Sequence, residues 1–256
     1  MLGAIAGDVI GSWYEHHPTK STEFPLFHDR SRFTDDSVMT VAVAHAILEG
    51  IDYGASMKNF GRKYPNAGYG PSFIEWIFQP DSKPYNSWGN GSAMRVSPVG
   101  FAFDSVDRVL SEAKSSAEVS HNHPEGIKGA QATALAVFLA RTGATRESIR
   151  EEITRRFHYN LDRTVEQIRP SYKFDVSCQG TVPEAIICFL DSTDFEDSVR
   201  KAVSLGGDSD TLACITGGIA HAYYRGVPAE ITTRVHKLLP LDLFQVLEKF
   251  VSKYSL

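Results

Sequence analysis

The sequence predicts an all-α fold, and three observations carry that expectation. Apolar residues recur at helical spacing along most of the chain. No stretch shows convincing strand alternation. Gly, Pro, Asn and Asp clusters punctuate the apolar segments as turns and helix starts do. The 256 residues, 42% hydrophobic and 22% charged, can bury a sizeable core. One compact multi-helix domain over residues 1–256, with its chemistry borne on loops, is expected.

Residues 2–14 read as a helix with Gly3, Gly7 and Gly11 on one face. Each costs about 1 kcal/mol against Ala in a helix interior, so three together point to close approach of a second helix. Asp8 in that segment needs hydrogen-bonding partners if it is buried. Glu15 ends the helix and borders a loop that begins His16, His17, Pro18. Residues 19–33 lack periodicity and read as a mobile loop. A helix is expected at about 37–49, a short amphipathic segment around Ala55–Phe60, a turn at Pro65–Pro71, and an aromatic-rich helix from Phe73.

Tyr85-Asn86-Ser87-Trp88-Gly89-Asn90-Gly91-Ser92 follows. No alternating strands flank it, so Asn-Gly does not mark a hairpin here. A Gly/Ser-rich loop that opens a helix offers backbone N–H groups to a phosphate. Helices are expected at about 104–119 and 127–141, over about 146–169, at Glu184–Leu190 with Pro183 in the first turn, and at 195–204, 208–224 and 229–252 with a break at Pro240. His121-Asn122-His123 has no accompanying ββα pattern, Cys ligands or basic surface, so nuclease and zinc readings are set aside.

Composition excludes other classes. The net charge of −5 without a Lys/Arg cluster disfavours nucleic acid. No apolar run suits a membrane span, and the N-terminus lacks a basic n-region. The three cysteines form no Cys-x-x-Cys pair; Cys188 and Cys214 lie in apolar helical runs. Buried free thiols and a cytoplasmic location are expected.

The most informative stretch is Leu205–Cys214. Two glycines precede Asp208, Asp210 and Thr211, which place five side-chain oxygens within a span of four residues ahead of an apolar helix. Clustered oxygens suit a hard divalent cation, whereas Asp and Ser also serve as ordinary N-caps. Phe33-Thr34-Asp35-Asp36-Ser37 repeats the design. If the two stretches face each other, four carboxylates repel strongly unless cations lie between them; two metals would resolve this.

These pieces together resemble the ADP-ribosylglycohydrolase family. The resemblance rests on Gly3–Glu15, Phe33–Ser37, Gly89–Arg95, Ser120-His121 and Leu205–Thr211, which occur in the family's order and span nearly the whole chain. It implies an all-α fold with two Mg²⁺ or Mn²⁺ ions, ligated by Thr34, Asp35, Asp36, Asp208, Asp210 and Thr211. Glu15 matches a glutamate that reaches the site from a loop edge; Glu15, Asp35, Asp36 and Asp208 are the implied catalytic carboxylates. Gly68, Ser87, Trp88, Gly89, Asn90, Met94 and His121 match positions that hold ADP-ribose. Trp88 stands where the serine-specific enzyme has Tyr, and the position before the loop that carries Phe there is not aromatic here. The expected activity is hydrolysis at C1″ of ADP-ribose attached to a protein side chain or a small molecule. The alternatives are a non-catalytic ADP-ribose-binding or crystallin-like protein of the same fold, and a metal-dependent phosphoester hydrolase.

Overall fold

In the computed structural model, residues 1–254 are described. They form fifteen helices: α1 (Leu2–Gly11), α2 (Asp35–Glu49), α3 (Tyr53–Lys63), α4 (Pro71–Phe78), α5 (Gly91–Met94), α6 (Ser97–Ala102), α7 (Val106–Glu118), α8 (Pro124–Arg141), α9 (Arg146–Phe157), α10 (Val165–Ile168), α11 (Cys178–Leu190), α12 (Phe195–Ser204), α13 (Ser209–Tyr224), α14 (Ala229–Leu238) and α15 (Leu241–Tyr254). Among the described residues there is no strand, only an isolated antiparallel bridge between Gly89 and Ser177. The all-α expectation holds.

The site is positioned by the glycine face of α1. A methyl group on Gly3 would lie 2.3 Å from Gly217 O, one on Gly7 1.9 Å from Ala213 O, and one on Gly11 2.5 Å from Ser209 O. As the α1 number rises the α13 number falls, so the two helices run antiparallel in backbone contact. The C-terminal end of α1, with Glu15 just beyond it, therefore meets the first turn of α13. Around this pair, α8 packs against α6, α7, α11 and α13. Its Ala-rich run 132–138 is buried throughout, as befits a central helix.

Some boundaries differ from expectation. Helix α1 stops at Gly11, and a turn carries the chain through Glu15, with Tyr14 and Glu15 N–H both donating to Gly11 O. The Trp13 ring is stacked between His17 and His28, at 3.6 and 3.8 Å, which fixes the segment after Glu15. The 19–33 loop is tied down: Arg200 donates to Thr22 O and Phe24 O, and Tyr14 OH to Pro25 O. The helix expected from Glu184 starts at Cys178, so Pro183 lies inside it. Ser177 caps this earlier start, accepting from Gly180 N. The 146–169 stretch breaks at His158, which has φ +55°. Helix α6, six residues with Pro98 in its first turn, is an addition to the expected helices.

Candidate metal centre and ligand cleft

The two acidic stretches meet. Thr34 caps α2, its Oγ1 accepting from Asp36 N at 3.3 Å. Asp208 stands at the N-cap of α13, where Gly206 and Gly207 adopt φ +67° and +91°, a conformation suited to glycine. Thr211 Oγ1 donates to Asp36 Oδ2 at 3.3 Å, directly bridging the two helix starts. Carboxylate oxygens of Glu15, Asp208 and Asp210 lie within 4.8 Å of one another.

Asp8 organises this from below. It is fully buried and accepts from Thr34 N (2.9 Å), Thr34 Oγ1 (2.7 Å), Ser37 N (3.1 Å) and Ser37 Oγ. It thereby locks the first turn of α2 onto α1. The sequence flagged Asp8 as needing partners but gave it no place in the site.

The electrostatics of this cluster ask for positive charge. Burial, then the charge of Asp8, and also Asp208 and Glu15, push Asp35 up to about 8. Burial and the neighbouring Asp8, Asp35 and Asp208 hold Asp36 well above the ordinary carboxylate range. Asp210 is raised in the same way, by burial and then by Asp208 and Asp36. Burial raises Glu15, with Asp208 adding to it. Asp36 Oδ1 is buried with no hydrogen-bond partner among the described residues. An all-oxygen donor set with mutual repulsion and an orphaned oxygen fits one or more hard divalent cations.

These residues open into a cleft of about 500 Å³, a common size for a small-molecule site. Glu15, Thr34, Asp35, Asp36, Asp208, Asp210 and Thr211 all line it, as do Gly68, Ser87, Gly89, Asn90, Met94 and His121. Trp88 is not among the lining residues; the residue is 49% exposed. Gly68 has φ +117°, and a Cβ there would lie 3.1 Å from Asp35 Oδ1. Asn90 ties the loop to the acidic cluster, its Nδ2 donating to Asp208 Oδ2 at 2.7 Å and to Thr181 Oγ1 at 3.1 Å.

The 87–92 loop is held by its neighbour segment. Asn90 N donates to Val176 O (2.7 Å) and Cys178 N to Trp88 O (3.0 Å). Gly126 lets α8 approach, since a Cβ there would meet Ser87 O at 2.6 Å. Sequence reasoning gave no role to Phe73, Tyr85, Arg95, Phe174 or Val176, which also line the cleft. Arg95 ends the Gly89–Arg95 stretch; Phe174 and Val176 sit in a loop with no pattern to mark them.

A sequence model of the ADP-ribosylglycohydrolase family matches residues 1–255. The chain belongs to the ADP-ribosylglycohydrolase family. It is similar to the human "ADP-ribosylhydrolase ARH3", with 28% identity over 88% of this chain and 84% of that one. It is also similar to "ADP-ribosylarginine hydrolase Tri1" of Pseudomonas putida, at 24% identity over 92% of this chain and 72% of that one. A solved structure described as "ADP-ribosylglycohydrolase-related protein complex" superposes with a TM-score of 0.75 at 25% identity, covering 99% of this chain and 96% of that one. As a member of this family the protein is a hydrolase. No helix among the described residues is long and apolar enough to cross a membrane.

Proposed function

We propose that this ADP-ribosylglycohydrolase cleaves the bond at C1″ of the distal ribose of an ADP-ribosyl group carried by a protein side chain or a small molecule. Two divalent cations, Mg²⁺ or Mn²⁺, are its cofactors. The observation that supports this most is a single cleft lined both by the two acidic stretches and by the 87–92 loop with His121.

In this reading Thr34, Asp35, Asp36, Asp208, Asp210 and Thr211 hold the cations. The cations, when bound, neutralise the clustered carboxylates and lower the pKa of a water toward neutrality. Asn90 fixes the orientation of Asp208. Glu15, at the loop edge, assists as base by taking a proton from the attacking water; the released acceptor gains a proton and C1″ gains the hydroxyl. Of the loop amides, those of Gly89 and Asn90 already donate to Ser87 Oγ and Val176 O. The N–H groups of Gly91 and Ser92, at the first turn of α5, have no partner within that helix and are offered to the diphosphate. Trp88, exposed beside the cleft, offers a flat face for adenine. Three buried free cysteines fit a reducing compartment such as the cytoplasm.

The full ligand set favours catalysis over a binding-only role. The test is a panel of ADP-ribosylated arginine, serine and small-molecule acceptors, assayed with Mg²⁺, with Mn²⁺ and with chelator. Free ADP-ribose without phosphate, lost on chelation, is expected. Phosphate release would favour phosphoester hydrolysis, and binding without turnover on every acceptor would favour the non-catalytic alternative.

A further inference from the structure

Arg95 is a fully buried cation beside the cleft, and among the described residues no carboxylate pairs with it. Its Nη2 donates to Ser116 O at 2.9 Å and to Ser120 Oγ at 3.0 Å. Its Nε and Nη1 have no hydrogen-bond partner among the described residues, and its guanidinium lies over the Phe73 ring at 5.5 Å. A buried arginine kept at this cost invites a role beyond packing.

Ser120 passes its influence on. Ser120 is fully buried, and its Oγ has two side-chain neighbours, Arg95 Nη2 and His121 Nδ1, the latter at 2.8 Å. Arginine only donates, so the Ser120 oxygen accepts from Arg95. Among the described residues the hydroxyl hydrogen then has one acceptor within reach, His121 Nδ1. The opposite tautomer would leave a buried hydroxyl hydrogen with no acceptor, which is costly. Nδ1 is thus an acceptor, and the ring proton sits on Nε2.

Nε2 faces the glycine loop. It makes no hydrogen bond within the described residues, and a methyl group on Gly91 would lie 3.0 Å from it, one on Gly89 3.7 Å. The missing side chains leave this nitrogen open to the cleft. We infer that Arg95 is a positioning residue that, through Ser120, holds His121 as a neutral Nε2–H donor directed at whatever anionic or polar group occupies the cleft beside Gly89 and Gly91. Burial first, and then the Arg95 charge, hold the His121 imidazole well below its ordinary value, in keeping with a neutral ring. That the group is the diphosphate of ADP-ribose rests on the function proposed above; the tautomer does not.

The experiment is ¹⁵N NMR of the histidine rings in the full-length, ligand-free protein near pH 7.5, with the His121 signals identified by their loss in His121→Asn. A single Nε2–H tautomer is expected. Ser120→Ala keeps the fold-bearing side chains and removes the relay; it should give a mixed or Nδ1–H ring and weaken ADP-ribose binding roughly three- to tenfold. An Nδ1–H ring in the wild type, or an unchanged ring in Ser120→Ala, overturns the inference. If the tautomer is as stated but added ADP-ribose leaves the His121 Nε2 proton unmoved, the inference stands and the reading of the cleft as an ADP-ribose site fails.

Discussion

Thr211 Oγ1 and Asp36 Oδ2 are 3.3 Å apart, although 175 positions separate them in the chain. This hydrogen bond joins two helix starts that the sequence could only suggest belonged together. It exists because α1 and α13 touch along a face of glycines and Asp8 clamps α2 to α1. Asp36→Ala or Asp208→Ala removes an implied cation ligand. Each is expected to lower release of ADP-ribose by more than the 10- to 100-fold that outer-sphere changes produce. Steady-state assays check this, with thermal shift on Mn²⁺ addition reporting whether cation binding was lost as well.

Asp8 touches no substrate but holds four donors at the start of α2. Asp8→Ala leaves the buried Thr34 and Ser37 amides without an acceptor, at a cost of about 3 kcal/mol. Cation affinity should also fall, by roughly 10- to 100-fold. Urea denaturation and Mn²⁺ titration measure the two effects separately.

Much of this was legible in the residues. The glycines at positions 3, 7 and 11, the twin acidic helix starts and the Gly206-Gly207 turn each have a local chemical signature. The helices from α2 to α4, α7 and α8, and α12 to α15, follow the apolar periodicity. What stayed hidden depends on partners distant in the chain. The start of α11 is set by the Ser177 cap beside the 88–90 segment. The burial of Arg95 is set by Ser116, Ser120 and Phe73, and no spacing rule announces it.

The glycine seam makes its own prediction. A Cβ on Gly7 would lie 1.9 Å from Ala213 O, so Gly7→Ala must push α1 off α13. Overpacking of this kind costs roughly 1–3 kcal/mol. It should also separate Asp8 and Glu15 from the Asp208–Thr211 turn, lowering activity with stability. Gly226→Ala, with nothing within 4 Å of the added carbon, is the control and should be near neutral. Calorimetry on both variants decides it.

The carboxylates set a pH dependence for the metal-free protein. Asp35 is raised to about 8, and Asp36, Asp208 and Asp210 are raised as well. For an acid raised on folding, the associated stability is full below its unfolded value, about 4, and is lost as pH climbs through the folded value. Without cations, Tm should therefore fall between pH 5 and pH 8. Saturating Mg²⁺ should restore stability most at the upper end, where the carboxylates are ionised. A metal-free Tm that rises over this interval would contradict the clustering of charge.

Both acidic helix starts together are proposed to hold divalent cations. Anomalous diffraction from crystals grown with Mn²⁺ tests this most directly. Two peaks are expected in the cleft, within coordination distance of Asp35 and Asp36 on one side and Asp208, Asp210 and Thr211 on the other. Density elsewhere, or none beside these carboxylates at saturating Mn²⁺, would contradict it.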